Sequence, residues 1–94
     1  MKRFPSLELL ESTHQFPAPY VFKVIGKSDE GFLGRVLASA REAAELDTDP
    51  TFTLRQTSEG KHVSVTLSVE VDSAGRVLAI YERLSELNGL ILLM

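Results

Sequence analysis

Val63, Val65, Leu67, Val69 and Val71 alternate without a fault with Ser64, Thr66, Ser68 and Glu70. Successive side chains leave a strand on opposite sides, so a strict period of two marks a strand with one face buried and the other wet. Its register is tightly specified, because a slip of one residue would carry every apolar group into water. Thr51-Phe52-Thr53-Leu54-Arg55-Gln56-Thr57 alternates in the same way, and Ser58-Glu59-Gly60-Lys61 between the two runs reads as a hairpin turn. A half-buried hairpin needs further strands beside it and a layer above its apolar face.

The rest of the chain supplies both. Tyr20-Val21-Phe22-Lys23-Val24-Ile25 is β-branched and aromatic with one charge, which predicts an interior strand ending at Gly26. After Ser28-Asp29-Glu30 the positions Phe32, Leu33, Val36, Leu37, Ala40, Ala43 and Ala44 form one helical stripe. Ser28 is placed as its N-cap, with the two acids in its first turn and its end near Leu46. A second stripe, Val77, Ile80, Tyr81, Leu84 and Leu87, follows Ser73 as N-cap and stops at Asn88-Gly89. Leu90 to Met94 then reads as a last strand. Ahead of everything, Ser6 caps a short helix carrying Leu7, Leu9 and Leu10, which Phe16-Pro17-Ala18-Pro19 ends.

The order is β-α-β-β-α-β after a helical arm, the α+β, ferredoxin-like arrangement. Right-handed crossovers put both helices on one face of a four-stranded antiparallel sheet, with strands one and three central and two and four at the edges. Residues 1–19 are then an arm packed on a domain of residues 20–94. The open sheet face carries Lys23, His62, Ser64, Thr66 and Ser68, an expected interaction face.

Composition narrows the function. The net charge of −3 argues against a general nucleic-acid or anionic-membrane binder. RNA-binding domains of this topology stack bases on exposed rings, and here only Tyr20 or Phe22 on strand one is available for that. The absence of Cys removes disulfides, thiol catalysis and cysteine-held metals. His14 and His62 lack metal-site spacing and read as surface residues, and Asp47 with Asp49 lacks the ligand spacing of a calcium loop. The N-terminus, Met1-Lys2-Arg3-Phe4-Pro5, is not a signal peptide, and no apolar run spans a bilayer, so a cytoplasmic protein is expected.

Acylphosphatases share the topology and hold phosphate in a loop that ends in Arg. Gly26 to Arg35 has the glycines and the Arg, but Asp29 and Glu30 stand where the anion must go, and Asn88, the only Asn, lies at a helix end. Arg35 reads instead as a solvated helix residue. No catalytic residue, metal or cofactor is expected, and the chain is read as non-enzymatic.

Asp29-Glu30-Gly31-Phe32-Leu33 resembles the turn after strand one of ACT domains, regulatory modules that bind amino acids, without that turn's Pro and one residue of its length. The resemblance implies a small-molecule effector near Gly26, Ser28, Asp29 and Gly31, with Asp29 accepting an amine and amides near Gly31 taking a carboxylate. A fuller resemblance runs through Leu9-Leu10-Glu11, Phe16-Pro17, Phe22-Lys23-Val24-Ile25-Gly26, Ser58-Glu59-Gly60-Lys61, Ser64-Val65 and Ile80-Tyr81-Glu82-Arg83-Leu84. These strings are similar to the YbeD family of small uncharacterised bacterial ACT-like proteins. The departures are extra residues around Ser12 to Gln15 and His62 in place of an aromatic. The resemblance implies the fold and argues against catalysis.

Association is the alternative reading. Leu90 to Met94 is apolar on both faces at a sheet edge, where charges normally block pairing. Either the arm, through Phe4, Leu7 and Leu10, or a second subunit must cover it, so a homodimer or a protein partner is the other expectation. Lys23 is either a snorkelling residue or a contact residue.

Overall fold

A computed structural model describes residues 4–57 and 59–94 of the chain. Ser58 of the hairpin and Met1, Lys2 and Arg3 lie outside the described residues. The elements are α1 (Leu7–Thr13), β1 (Ala18–Lys27), α2 (Phe32–Ala44), β2 (Thr51–Gln56), β3 (His62–Val71), α3 (Ala74–Ser85) and β4 (Leu90–Leu93). The sheet order is β2-β3-β1-β4, all antiparallel, as the sequence order requires.

The alternation in β3 holds throughout: Val63, Val65, Leu67, Val69 and Val71 are all buried, and the residues between them are exposed or half-buried. Opposite them on β1 lie Phe22 and Val24, also fully buried. The stripes Phe32, Val36, Leu37, Ala40 and Ala43 of α2 and Val77, Ile80, Tyr81 and Leu84 of α3 close the same core, and the two helices pack on each other. Burying each such side chain contributes about 1.5–3 kcal/mol, which sets the layer order.

Four local expectations are corrected. The first strand runs from Ala18 through Lys27 rather than from Tyr20 to Gly26. Pro19 is tolerated because β4 pairs only with Val24 to Gly26 and the backbone-paired Lys23, so β1 is an edge on that side at Pro19. Ser28 does not cap α2. The cap position is Gly31, without a side-chain bond, and Asp29 folds the preceding turn by accepting from the Gly31 N–H at 2.9 Å. Asp29 and Glu30 therefore precede the helix instead of filling its first turn. Finally, α3 ends at Ser85, and Gly89, at φ 91°, turns the chain into β4. Ser6 and Ser73 do cap α1 and α3, accepting from the Leu9 and Arg76 amides at 3.1 Å.

Tyr20 and Phe22 are not on the open face. They join Tyr81 and Phe4 under the arm: Phe4 stacks on Tyr81 at 5.3 Å, and the Tyr20 and Tyr81 hydroxyls share a hydrogen bond at 3.2 Å. Burial first, then the Tyr20 bond, pushes the Tyr81 phenol well above its ordinary pKa. The open sheet face thus offers no ring for base stacking from either position. Leu10 is buried in the same core, and α1 lies against α3 rather than over β4. The described residues of the arm do not cover the last strand, where Ile91 and Leu92 stay about half exposed.

Candidate functional site

The turn between β1 and α2 is built by competition for one carboxylate. Asp29 Oδ1 accepts from Gly31, and Arg35 Nη2 reaches back from the first turn of α2 to Oδ2 at 3.0 Å. The same Nη2 donates to the Asn88 carbonyl at 3.1 Å, so one guanidinium joins the β1–α2 turn to the α3–β4 turn. Arg35 is therefore a brace and not the solvated helix residue expected of it. The Arg35 hydrogen bond above all, with the Gly31 amide and the guanidinium charge, outweighs desolvation and holds the Asp29 carboxyl below the usual 3.8.

A depressed folded-state pKa means that this tether is fully present above the unfolded value and is lost as pH falls through the folded one. Carbon-detected titration of Asp29 should accordingly give a midpoint below 3.8, and Arg35→Gln should return it towards that value. A midpoint at or above 3.8 in the unaltered chain would remove the brace.

Beside the brace, between the turn, α2 and the edge strand β2, lies a cleft of about 260 Å³ lined by Ser28, Asp29, Glu30, Leu33, Leu54, Gln56 and Val63. Leu33, Leu54 and Val63 make it apolar inside. Ser28, Asp29, Glu30 and Gln56 make its rim polar and acidic, and Gln56 Nε2 donates to Ser28 Oγ at 2.9 Å across it. Such a cleft can take an amine on its acidic rim and a short apolar group within.

Of the residues singled out in the sequence, Ser28 and Asp29 line this cleft, and Gly26 and Gly31 do not. The Gly31 N–H is taken by Asp29, which leaves it no role as a carboxylate donor in this geometry. Gly26 is buried beneath the Phe32 ring, where its missing side chain is used for packing. Leu54 and Gln56, which the sequence does not single out as site residues, also line the cleft, and the alternation of β2 is the signal that puts both on the helix side. Lys23, Ser64 and Thr66 gather with Thr53 and Arg55 in a separate hollow on the open sheet face, and His62 and Ser68 flank them on β3. A third hollow, near Glu70, Asp72 and Arg76, is the largest of these three at about 330 Å³, yet Arg76 is already bound to Glu45, Asp72 and the Ala43 carbonyl. No group of acids and imidazoles suited to a metal occurs among the described residues, and no described helix is long and apolar enough to cross a membrane.

The fold is α+β and ferredoxin-like, and it is similar to that of ACT domains. The ACT domain from GTP pyrophosphokinase of Chlorobium tepidum superposes with a TM-score of 0.60 at 10% identity, covering 81% of this chain and 94% of that one. A solution structure of an H. pylori protein gives a TM-score of 0.64 at 17% identity, covering 100% of this chain and 98% of that one.

The family follows from sequence. The chain belongs to the protein family of unknown function DUF493, whose model matches residues 11–94. It is similar to the UPF0250 protein of Shewanella oneidensis, 33% identical over 75 residues that cover 80% of this chain and 83% of the relative. A UPF0250 protein of Nitrosomonas europaea is 28% identical, over 81% of this chain and 87% of the relative. This is the YbeD-like bacterial family that the sequence strings resemble.

Proposed function

We propose that the chain is a non-enzymatic regulatory module that binds a small metabolite, of the size and chemistry of an amino acid, in the cleft between the β1–α2 turn and β2. The observation that carries this reading is the cleft's pairing of an acidic rim, Asp29 and Glu30, with the apolar lining of Leu33, Leu54 and Val63. An ammonium group seats on the rim, an apolar side chain enters between Leu33 and Leu54, and the Gln56 amide is placed to meet a carboxylate. The ACT-like fold supports the same choice, as does the resemblance of Asp29-Glu30-Gly31-Phe32-Leu33 to the ACT-domain turn. Occupancy would be passed on through Arg35, which ties the rim of the cleft to the turn that begins β4.

A thermal-shift screen of the amino acids and related amines at millimolar concentration tests this. A ligand at 100 times its Kd adds about 2.7 kcal/mol, which is several degrees for a domain of this size. Asp29→Ala is expected to weaken the hit about tenfold, the loss of one charge-assisted contact. Leu54→Arg, at a half-exposed position, should abolish it while leaving the unliganded Tm nearly unchanged. A hit indifferent to both variants places the ligand elsewhere.

A second reading rests on β4. Ile91, Leu92 and Met94 are about half exposed, and Val21 of β1 adds to the apolar surface at 59% exposure. A second copy paired along this edge would cover them, so the sedimentation mass is recorded in the same buffer. A silent screen with a dimer mass favours association as the chain's function, and a silent screen with a monomer mass removes both readings.

A further inference from the structure

The charges of this chain are sorted by face. Arg35, Arg41, Lys61, Arg76 and Arg83 each pair with a carboxylate: Asp29, Asp49, Glu59, Glu45 and Glu42 respectively. Among the described residues the remaining cations, Lys23, Lys27 and Arg55, have no such partner. All three belong to the open face of the sheet, since their neighbours Val24, Gly26 and Leu54 share the register of Val65 and Val63, which face the helices. The strands place a single acid on that face, Glu70. It pairs with Pro19, four residues along β1 from Lys23 and therefore roughly 13 Å away. In a chain of net charge −3, the strand residues of this face are therefore locally basic.

Two of these cations meet in a hollow. Lys23 on β1 stands opposite Thr66 on β3, which stands opposite Thr53 on β2, while Arg55 stands opposite Ser64. Lys23 and Arg55 are thus two strand spacings and two residues apart, on a diagonal of about 12 Å, with the Ser64 and Thr66 hydroxyls between them. The hollow of about 230 Å³ is lined by these residues alone: Lys23, Thr53, Arg55, Ser64 and Thr66. Two cations and three hydroxyls around a space too small for a drug-sized ligand are matched to an oxyanion. The backbone positions are fixed by the sheet ladder, so binding has only the side chains to order. Tyr20 and Phe22 are turned to the core, which removes the rings that a single-stranded nucleic acid would need here.

We propose that this hollow is an anion site, distinct from the cleft at the β1–α2 turn and on the other side of the sheet. It takes the phosphate or carboxylate groups of a small metabolite between Lys23 and Arg55, with Thr53, Ser64 and Thr66 donating hydroxyl hydrogen bonds. Binding neutralises two like charges that the chain itself leaves unmatched.

The test is an amide chemical-shift titration of the full-length chain with inorganic phosphate and, separately, with citrate, at ionic strength held constant with chloride. The expected result is a saturable shift centred on Lys23, Thr53, Arg55, Ser64 and Thr66, with the amides of Ser28 to Gly31 unmoved. Saturation by phosphate alone identifies a phosphate ligand, and saturation by citrate alone a polycarboxylate. Lys23→Gln and Arg55→Gln should each weaken binding at least tenfold. Both side chains are exposed, so the Tm of either variant in chloride should stay within a degree or two of the parent. Shifts linear in both anions, variants that bind as the parent does, or shifts confined to Ser28–Gly31 would each overturn the anion site. The last outcome leaves the metabolite cleft standing, and a hit in the cleft with no saturation here does the same.

Discussion

Gly26→Ala is expected to cost about 2–3 kcal/mol, the upper part of the range for forcing an extra carbon into a packed core. A Cβ at Gly26 would stand 2.1 Å from Phe32 Cζ and within 2.6 Å of both Cε atoms. The ring cannot give way easily, because Phe32 is fully buried as the first residue of α2. At about 4–8 °C per kcal/mol for a domain of this size, the Tm should fall by roughly 10–20 °C. Phe32→Leu made in the Gly26→Ala background should recover part of that loss, since the smaller side chain vacates the space the new methyl needs. The coupling between the two positions, read from the double-mutant cycle, is the discriminating quantity. Additive losses would show that the ring does not rest on the glycine. The contact also sets the site: with Phe32 seated over β1, the three residues after Ser28 must turn tightly, which brings Asp29 to both Arg35 and the cleft.

That contact explains why part of the molecule was legible in the sequence and part was not. Periodicity is a property of one segment at a time, so β3 and the stripes of α2 and α3 could be read directly, and the element order then left one right-handed arrangement. The N-terminus of α2 could not be read that way. Ser28 and Asp29 are good capping residues, but the depth at which Phe32 must be buried moves the helix start to Gly31 and leaves Asp29 to build a turn. Arg35 looked like a surface residue because its partner carbonyl, at Asn88, is far along the chain and adjacent only in the fold. The cleft was half visible: Ser28 and Asp29 stood in a recognisable turn, whereas Leu54 and Gln56 enter it only through the β2–β3 register. The anion site depends on which cations have found carboxylates. That is a statement about tertiary pairing, and composition recorded only a small net negative charge.

Leu10→Ala should be at least as damaging, at about 2–4 kcal/mol, because Leu10 is 1% exposed and belongs to the same buried cluster as Phe22, Ile80 and Tyr81. The size of the effect decides whether the arm is an attachment or part of the folding unit. A helix of 7 residues is far below the length that holds itself in water, so α1 exists only while it is docked on α3. If the arm undocked alone, the loss could not exceed its own docking energy. The Tm of the rest would then hold, and only the amides of residues 7–13 would exchange faster in deuterium. The packing argues otherwise. Phe4 stacks on Tyr81, Tyr81 bonds Tyr20 of β1, and Tyr81 and Phe22 meet edge to face at 4.9 Å, so the arm is continuous with the centre of the sheet. Leu10→Ala should therefore lower the Tm of the whole domain by roughly 10 °C or more, with arm and β3 amides losing protection together. An unchanged Tm with exchange confined to the arm would instead place the folding boundary near Ala18, where β1 begins.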